Sequence, residues 1–459
     1  MRANFQDMAD VEARFAEACR LARLGCNAEA QNAYLEVLAL HPGHCLALNN
    51  LGTLLYDQGF RKAARTAYSE AVARNPEDAM SRVNLGNCLR EAGEFAVARE
   101  HYEAALQLLP GSPEAHKGLA SVLSEAGDSE GAAMHRERGF RAQPIVALPY
   151  RGESKPLSIL LLAAAEGGNI PLRHLLDDRL FQTTVLFPEY FDPAVALPPH
   201  DVVFNGIGDA DLAGTALSAA ETLLRKTTAV LNPPSAVART GRAEVAARLA
   251  GIPGVVSPRT VTLPRDRIAA QDFDYPLLIR TPGFHTGRHF LKVETPADLP
   301  SALAQLPGDR LTVIQNLDAR GPDGKFRKYR VMATAGELYP LHVAISANWK
   351  IHYFTADMAD SADHRSEDQR FLEDMPGVLG ESGIAALEEI SARLGLDYCG
   401  IDFGLGPDRE VLLFEANATM VVNPPDPDPR WAYRRRAIER IHEAVRRMIL
   451  SATSGFSNG

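Results

Sequence analysis

The chain lacks most of what would tie it to a membrane, a disulfide frame or a nucleic acid. No uninterrupted apolar run approaches the roughly 20 residues of a membrane span. The opening MRANFQDMADVEARF has no apolar core, so no secretory signal is expected. Cysteine is scarce. Cys19, Cys26, Cys45, Cys88 and Cys399 form an odd set without CxxC spacing, which argues against a zinc site or paired cysteines and for a reducing compartment. A basic excess is missing too: the formal charge of -10 speaks against nucleic acid as the main ligand. GxxxxGK[ST] does not occur, which excludes a P-loop. A cytoplasmic chain without membrane or nucleic-acid partners is expected. The 459 residues, 46% hydrophobic and 23% charged, suit a globular protein of about three domains.

What is present begins with a period. Pro42, Pro76, Pro110 and Pro144 stand 34 residues apart, as do Gly25, Gly59, Gly93 and Gly127, and Ala30, Ala64, Ala98 and Ala132. Tyr34, Tyr68 and Tyr102 share the interval, with Arg136 in the fourth place. Each glycine falls where a first helix turns into a second, each alanine lets the two approach, and each proline stops the second. Gly52 and Gly86 supply a small residue on the first helix of the middle copies, where the outer copies have Ala18 and Ala120. The pattern resembles the tetratricopeptide repeat (TPR), most closely at 45–78 and 79–112. The resemblance implies an α-solenoid of about four repeats over 1–145, with a groove for a peptide or protein partner. Asn50, Asn84, Asn87 and Arg90 are the groove candidates, because side-chain amides can pair with an extended backbone. The same asparagines could equally stitch neighbouring repeats together.

A proline-containing linker at 146–156 ends the period. The apolar run at 157–163 suits a buried parallel strand, with the loop Glu166-Gly-Gly-Asn169 and a helix from about Leu172 after it. Strands at 183–187, 202–205 and 229–231, with a helix at 211–226, complete a small parallel α/β domain over 157–260. Ligands bind beyond strand carboxyl ends in such sheets, which makes Asn169 and Asn205 substrate candidates.

Near the other end, 400–417 reads as two strands joined by a tight turn at 406–409. Asp402, Glu415 and Asn417 are oxygen-bearing side chains set in its apolar stretches. Glu415 and Asn417 are two apart and share a face, and Asp402 can meet them from the neighbouring strand. Such a set suits Mg²⁺ or Mn²⁺ held jointly with phosphate oxygens. The plainer account is strand-end carboxylates facing solvent. Flanking apolar residues imply burial instead, where a carboxylate needs a cation or donors. An acidic strand residue, a short hairpin and Glu-x-Asn resemble the metal-binding end of the ATP-grasp ligases.

The resemblance runs from about 157 to 450, with the ATP-grasp domain itself at 261–459. Asn232-Pro-Pro-Ser235, a helix at 242–250 and a Gly-Ile-Pro … Pro-x-Thr stretch are similar to the family's entry segment; Arg242 stands at its nucleotide-binding lysine. Residues 275–293 resemble its strand–flap–strand, with Arg280 at the phosphate-binding lysine and Gly283, His285, Gly287 and Arg288 in the flap. Two glycines also suit a plain hairpin. Strand 312–317 resembles the adenine hinge, which nominates Gln315, Leu317 and Asp318. Strand 325–333 is similar to the one that aims an arginine at the γ-phosphate, here Arg330, with Lys328 on the same face. His342, Lys350 and His352 cluster just beyond: His342 as a substrate candidate, Lys350 and His352 as catalytic ones beside Arg330, or else as satisfied structural groups. The acid-rich 357–374 reads as a solvated loop passing into a helix. Helix 431–450 has a packing face of Ile438, Ile441, Val445, Met448 and Ile449, although basic amphipathic helices can also meet membranes.

The expected fold is a multidomain α plus α/β chain: a TPR solenoid, a parallel α/β domain and an α+β ATP-grasp fold. The resemblance implies an ATP- and Mg²⁺-dependent carboxylate–amine (or carboxylate–thiol) ligase working through an acyl phosphate, with a peptide or protein recruited by the repeats. A small-molecule kinase, or a non-catalytic scaffold with a degenerate nucleotide fold, stays open. The arginine-for-lysine replacements motivate the scaffold.

Overall fold

The computed structural model describes residues 2–225, 227, 229–270, 273–283, 287–351, 356–424, 426 and 428–454. It divides into two compact units, Met1–Lys155 and Pro156–Gly459, with the boundary inside the expected linker.

The first unit is a run of helical hairpins: α1 (Arg2–Arg23) with α2 (Asn27–Leu40), α3 (Cys45–Asp57) with α4 (Arg61–Arg74), α5 (Ala79–Glu91) with α6 (Phe95–Leu108), and α7 (Pro113–Glu125) with α8 (Ser129–Ala142). A short strand, β1 (Ile145–Ala147), follows. Gly25, Gly59, Gly93 and Gly127 make the turn inside each hairpin at φ of 72°, 85°, 79° and 80°, a left-handed geometry only glycine adopts without strain. His44, Asp78 and Ser112 accept the exposed backbone N–H groups that open α3, α5 and α7. The first helices also touch one another in sequence, α1 to α3 to α5 to α7, so they share one face.

Tyrosine explains the small residues. Tyr68 lies against Gly52, and a Cβ there would meet its ring at 2.5–2.9 Å. The ring of Tyr102, wholly buried, is wedged between Gly86 of its own hairpin and Gly118 of the next. The asparagines proposed for a peptide groove are engaged within the unit. Asn84 Nδ2 donates to Asn49 Oδ1 one repeat back (3.1 Å), and Asn50 Nδ2 reaches Cys19 Sγ (3.4 Å). Asn87 Oδ1 accepts from the Tyr102 hydroxyl (2.7 Å), close to Arg90. Asn50 and Asn84 thus link neighbouring repeats, whereas Asn87 ties the two helices of its own hairpin.

The second unit opens with β2 (Leu157–Leu162), β3 (Phe181–Leu186), β4 (Val202–Asn205), α9 (Gly214–Leu223) and β5 (Val230–Leu231). These strands are all parallel, in the order β3-β2-β4-β5. Two expected helices shrink. The one from Leu172 is a single 3₁₀ turn, Leu172–His174. The one from Asp211 begins at Gly214, because Asp209 Oδ1 takes the N–H groups of Asp211 (2.9 Å) and Leu212 (3.1 Å).

The chain continues through α10 (Pro234–Val237), α11 (Arg242–Leu249) and β6 (Val255–Val256) into an antiparallel sheet. That sheet holds β7 (Thr260–Pro264), β8 (Leu277–Arg280), β9 (Phe290–Val293) and, after α12 (Leu299–Gln305), β10 (Arg310–Gln315), in the order β7-β10-β8-β9. A third sheet follows: β11 (Phe326–Thr334), β12 (Glu337–Ser346), then α13 (Ala362–Glu373) and α14 (Met375–Leu394), then β13 (Tyr398–Leu405) and β14 (Val411–Asn417). Its order is β12-β11-β13-β14-β6, with β13 central and buried over almost its whole length. The last helix, α15 (Arg435–Ser454), packs Ile438, Ile441, Val445, Met448 and Ile449 inward against β11 and β12. The acid-rich stretch is mostly α13 and is not all solvated. Asp368 is fully buried and accepts from Val343 N (2.7 Å), the Tyr433 hydroxyl (2.6 Å) and Arg434 Nε (2.6 Å).

Asn232 fastens the first of these sheets to the third. Held at φ 52°, it gives and receives hydrogen bonds with the Tyr398 backbone (both 2.8 Å), and its own N–H reaches Asp397 (2.7 Å). Among the described residues no helix is long and apolar enough to cross a membrane.

Replacing Gly118 with Ala tests the tyrosine wedge. Helix propensity alone would raise stability by about 1 kcal/mol. A Cβ 2.3 Å from the Tyr102 ring should instead destabilise by about 1–3 kcal/mol. Urea unfolding of the full chain should show a lower midpoint; an unchanged or higher one contradicts the packing described.

Candidate functional site

Within the second unit a cavity of ≈ 360 Å³ lies between the antiparallel sheet and the β13–β14 hairpin. Its wall includes Arg242 from α11, Arg280 from β8, Gly287, Gln315 at the end of β10, Leu317, Arg330 and Lys328 from β11, and Lys350. Asp402, Glu415 and Asn417 line it as well. Residues far apart in the chain thus meet at one site, because β11, β13 and β14 are adjacent strands whose alternate side chains face it.

Register sets the acidic wall. Asp402 pairs with Glu415, and Gly400 with Asn417, with an irregularity just after Asp402. Arg330 faces Asp402 from the other neighbour, β11. Asp402 is 2% exposed, and both its oxygens are taken: Arg330 Nε donates to Oδ1 (2.6 Å), Arg330 Nη2 to Oδ2 (2.8 Å), and Lys328 Nζ lies 3.1 Å from Oδ2. Burial alone would raise the pKa of this carboxyl, but the charges of Arg330 and Lys328 hold it far below the usual carboxylate range. Arg242 Nη2 donates to Glu415 Oε1 (3.0 Å). Asn417 Oδ1 accepts from the backbone N–H (2.9 Å) and hydroxyl (2.8 Å) of Thr419. Arg280 is pulled down to about 10 by burial and then by neighbouring Arg242, and so stays charged at neutral pH.

On the flap side, Lys350 Nζ donates to the Phe290 carbonyl (3.1 Å), and Trp349 meets the Phe290 ring edge-on at 5.4 Å. Gly287 leaves room for the lysine: a Cβ there would sit 2.6 Å from Lys350 Cε. Lys350 therefore clasps the flap strand as well as lining the cavity.

Other candidates lie elsewhere. Asn169 is spent closing its own loop, through Ala164 N (2.7 Å) and O (2.8 Å). Asn205 is fully buried and bonds Ile207 N (3.2 Å) and Asn232 O (2.9 Å). Both correct the substrate assignment, since strand-end loops need the same amides to satisfy their own backbone. Asp318 is exposed and paired with Arg320, Arg288 is exposed, and Gly283 packs near Leu212. His342 is buried beside Arg330, and burial, then that charge, keeps it neutral well below the usual histidine range. His285 and His352 lie outside the described residues. Gln315 lines the cavity, yet its Oε1 accepts from Arg259 N (3.1 Å). Phe290 and Trp349 were not candidates from sequence; an aromatic beside a flap has no spacing that marks it.

As a donor set, two carboxylates and an amide oxygen fit a hard divalent cation in chemistry. No group of three His, Cys, Asp or Glu side chains gathers among the described residues, so the amide completes the set. Arg330, Lys328 and Arg242 already stand at its carboxylates, and a metal would enter by exchange with them. Removing the central carboxylate without such an exchange leaves two buried cations unbalanced. Asp402→Ala should therefore cost about 3–5 kcal/mol of stability by chemical denaturation. The pH dependence follows from the same depressed pKa. Stability from Asp402 is complete above the unfolded value of roughly 3.9 and is lost as pH falls through the lower folded value. An acid titration of Asp402→Asn should lack that part of the wild-type decline; superimposable acid limbs would contradict the pairing.

The family match falls within the first unit. Residues 15–59, 49–113 and 89–135 match a family model described as tetratricopeptide repeat. No curated protein matches the chain by sequence. Among solved structures, MamA 41-end from Desulfovibrio magneticus RS-1 is 26% identical over 29% of this chain and 77% of its own, with a TM-score of 0.27. An O-GlcNAc transferase mutant from Thermobaculum terrenum is 24% identical over 39% of this chain and 37% of its own, at 0.29. Pseudomonas aeruginosa pilF is 24% identical over 28% and 59%, at 0.26. Residues 15–135 are tetratricopeptide repeats, followed by a mixed α/β region.

Proposed function

We propose that the second unit is an ATP-grasp-type ligase that activates a carboxylate with ATP and joins it to an amine or a thiol, and that the repeats recruit a peptide or protein. One observation carries this reading: Arg242, Arg280, Lys328, Arg330 and Lys350 converge with Asp402, Glu415 and Asn417 on one cavity. Its ≈ 360 Å³ lies within the range of about 300–1,000 Å³ usual for small-molecule sites. The apolar part of the wall, including Ile314, Leu317 and Leu413, suits a base, and the cations suit a polyphosphate.

In this reading Arg242 and Arg280 bind the α/β side of the triphosphate, and Arg330 and Lys328 turn from Asp402 toward the transferring phosphoryl group. Asp402, Glu415 and Asn417 would hold Mg²⁺ or Mn²⁺, which when bound neutralises charge on phosphate oxygens. The γ-phosphoryl group moves to a carboxylate oxygen as the bond to ADP breaks. The amine then attacks the acyl carbon and phosphate leaves, with the amine proton lost to solvent. No side chain acts as a covalent nucleophile; fixed positive charge stabilises the transferring group. Lys350 holds the start of β9 at the cavity wall.

A second reading, a non-catalytic repeat scaffold, is favoured by one observation: both oxygens of Asp402 are already saturated by Arg330 and Lys328. Calorimetry separates the two. Wild-type protein should bind Mg·ATP, and Glu415→Ala should bind about tenfold or more weakly. Absence of binding by both proteins refutes the ligase and favours the scaffold. Hydroxylamine trapping of an acyl phosphate then tests the chemistry itself.

A further inference from the structure

The loop after β4 is built to present an acid. Asp209 Oδ1 gathers the backbone N–H groups of Asp211 and Leu212 (2.9 and 3.1 Å), which turns the Asp211 side chain toward the start of α11. There Asp211 Oδ2 accepts twice from one residue, from the Arg242 backbone N–H (3.1 Å) and from Arg242 Nη1 (3.2 Å). Its Oδ1 sits 2.8 Å from where a Cβ on Gly241 would be, so only glycine at 241 admits the carboxylate this close. The far side of the guanidinium goes to Glu415 (3.0 Å). Arg242 is thus strung between two carboxylates on different elements, with its Nε buried and without a hydrogen-bond partner among the described residues.

We infer that Asp211 is the positioning residue for Arg242: it anchors the guanidinium on the cavity wall independently of Glu415, so that Arg242 keeps its place when Glu415 turns to another cation. This rests on the nucleotide reading above. Glu415 has two roles there, as partner of Arg242 and as candidate metal ligand, and a single carboxylate oxygen cannot serve both cations with full strength. A second carboxylate on the arginine removes the conflict. The backbone half of the contact fixes where α11 begins, and the side-chain half fixes where its first residue points. Asp209, Arg280 and Glu415 are the other charged groups acting on Arg242 or packed beside it.

Asparagine separates the two halves, because its Oδ1 still accepts from the backbone N–H that opens the helix while the charge is gone. Calorimetry with Mg·ADP on the full chain should show Asp211→Asn binding about tenfold more weakly than wild type, and Asp211→Glu recovering most of the loss. The two steps of a double-mutant cycle identify the route. In an Arg242→Ala background, adding Asp211→Asn should change affinity by less than about twofold, because the residue it positions is gone. Melting temperatures near wild type for Asp211→Asn exclude unfolding as the cause. Wild-type binding with Asp211→Asn unchanged overturns this inference alone, and so does a full Asp211→Asn loss that persists without Arg242. Failure of wild type to bind Mg·ADP overturns the nucleotide reading and this inference with it.

Discussion

A charged carboxylate in the middle of a sheet must bring its own counter-charge, and the second unit is arranged around that requirement at Asp402. It sits on β13, the central strand, where water does not reach it. Its partners come from the next strand, two residues apart and therefore on one face: Lys328 and Arg330. The order β11-β13-β14 follows the same logic, because only adjacent strands bring an Arg–Asp–Glu row into line. The cavity wall is that row seen edge-on.

A different constraint shapes the repeats. An aromatic ring needs space that two close helices do not ordinarily leave. Glycine at 52, 86 and 118 supplies it, and the tyrosines of the second helices fill it. The seams between repeats are polar where the rings are not. Asn49 donates to Ser81 Oγ (2.7 Å) and accepts from Asn84, so the second repeat is registered on the third by groups that would be costly to leave unpaired. Amides committed in this way hold a surface in shape.

Between these extremes lie the short connections of the second unit, where single polar residues hold separate sheets together. Asn232 imitates a strand partner for Tyr398, and Asp211 imitates a helix cap for α11 while holding a side chain. Both lie in turns whose backbone would otherwise lack hydrogen bonds. Such residues pin the parallel sheet to the cavity wall without any extended interface, so a change of one atom type there reaches the site.

Periodicity and alternation were enough to read much of this from the residues. The 34-residue interval located the helical hairpins and their turns, because repeated local geometry demands repeated residue types. The hairpin with Asp402, Glu415 and Asn417 was legible because polar atoms in an apolar strand are conspicuous, and Arg280 and Arg330 because each stands where the resembled family pattern has a phosphate-binding cation. The helix expected from Asp211 starts late because Asp209 captures backbone N–H groups that propensity assigns to a helix, and the one expected from Leu172 ends after a single turn. Asn169, Asn205 and the repeat asparagines looked available on paper, since a side chain's hydrogen-bond partners leave no trace in the order of residues. What the sequence alone determined was therefore local: where helices turn, which strand faces are buried, which charges lie within them. Only the tertiary structure decided which of those charges meet, because a partner from 72 residues away, as Arg330 is for Asp402, is chosen by strand order and register and not by spacing along the chain.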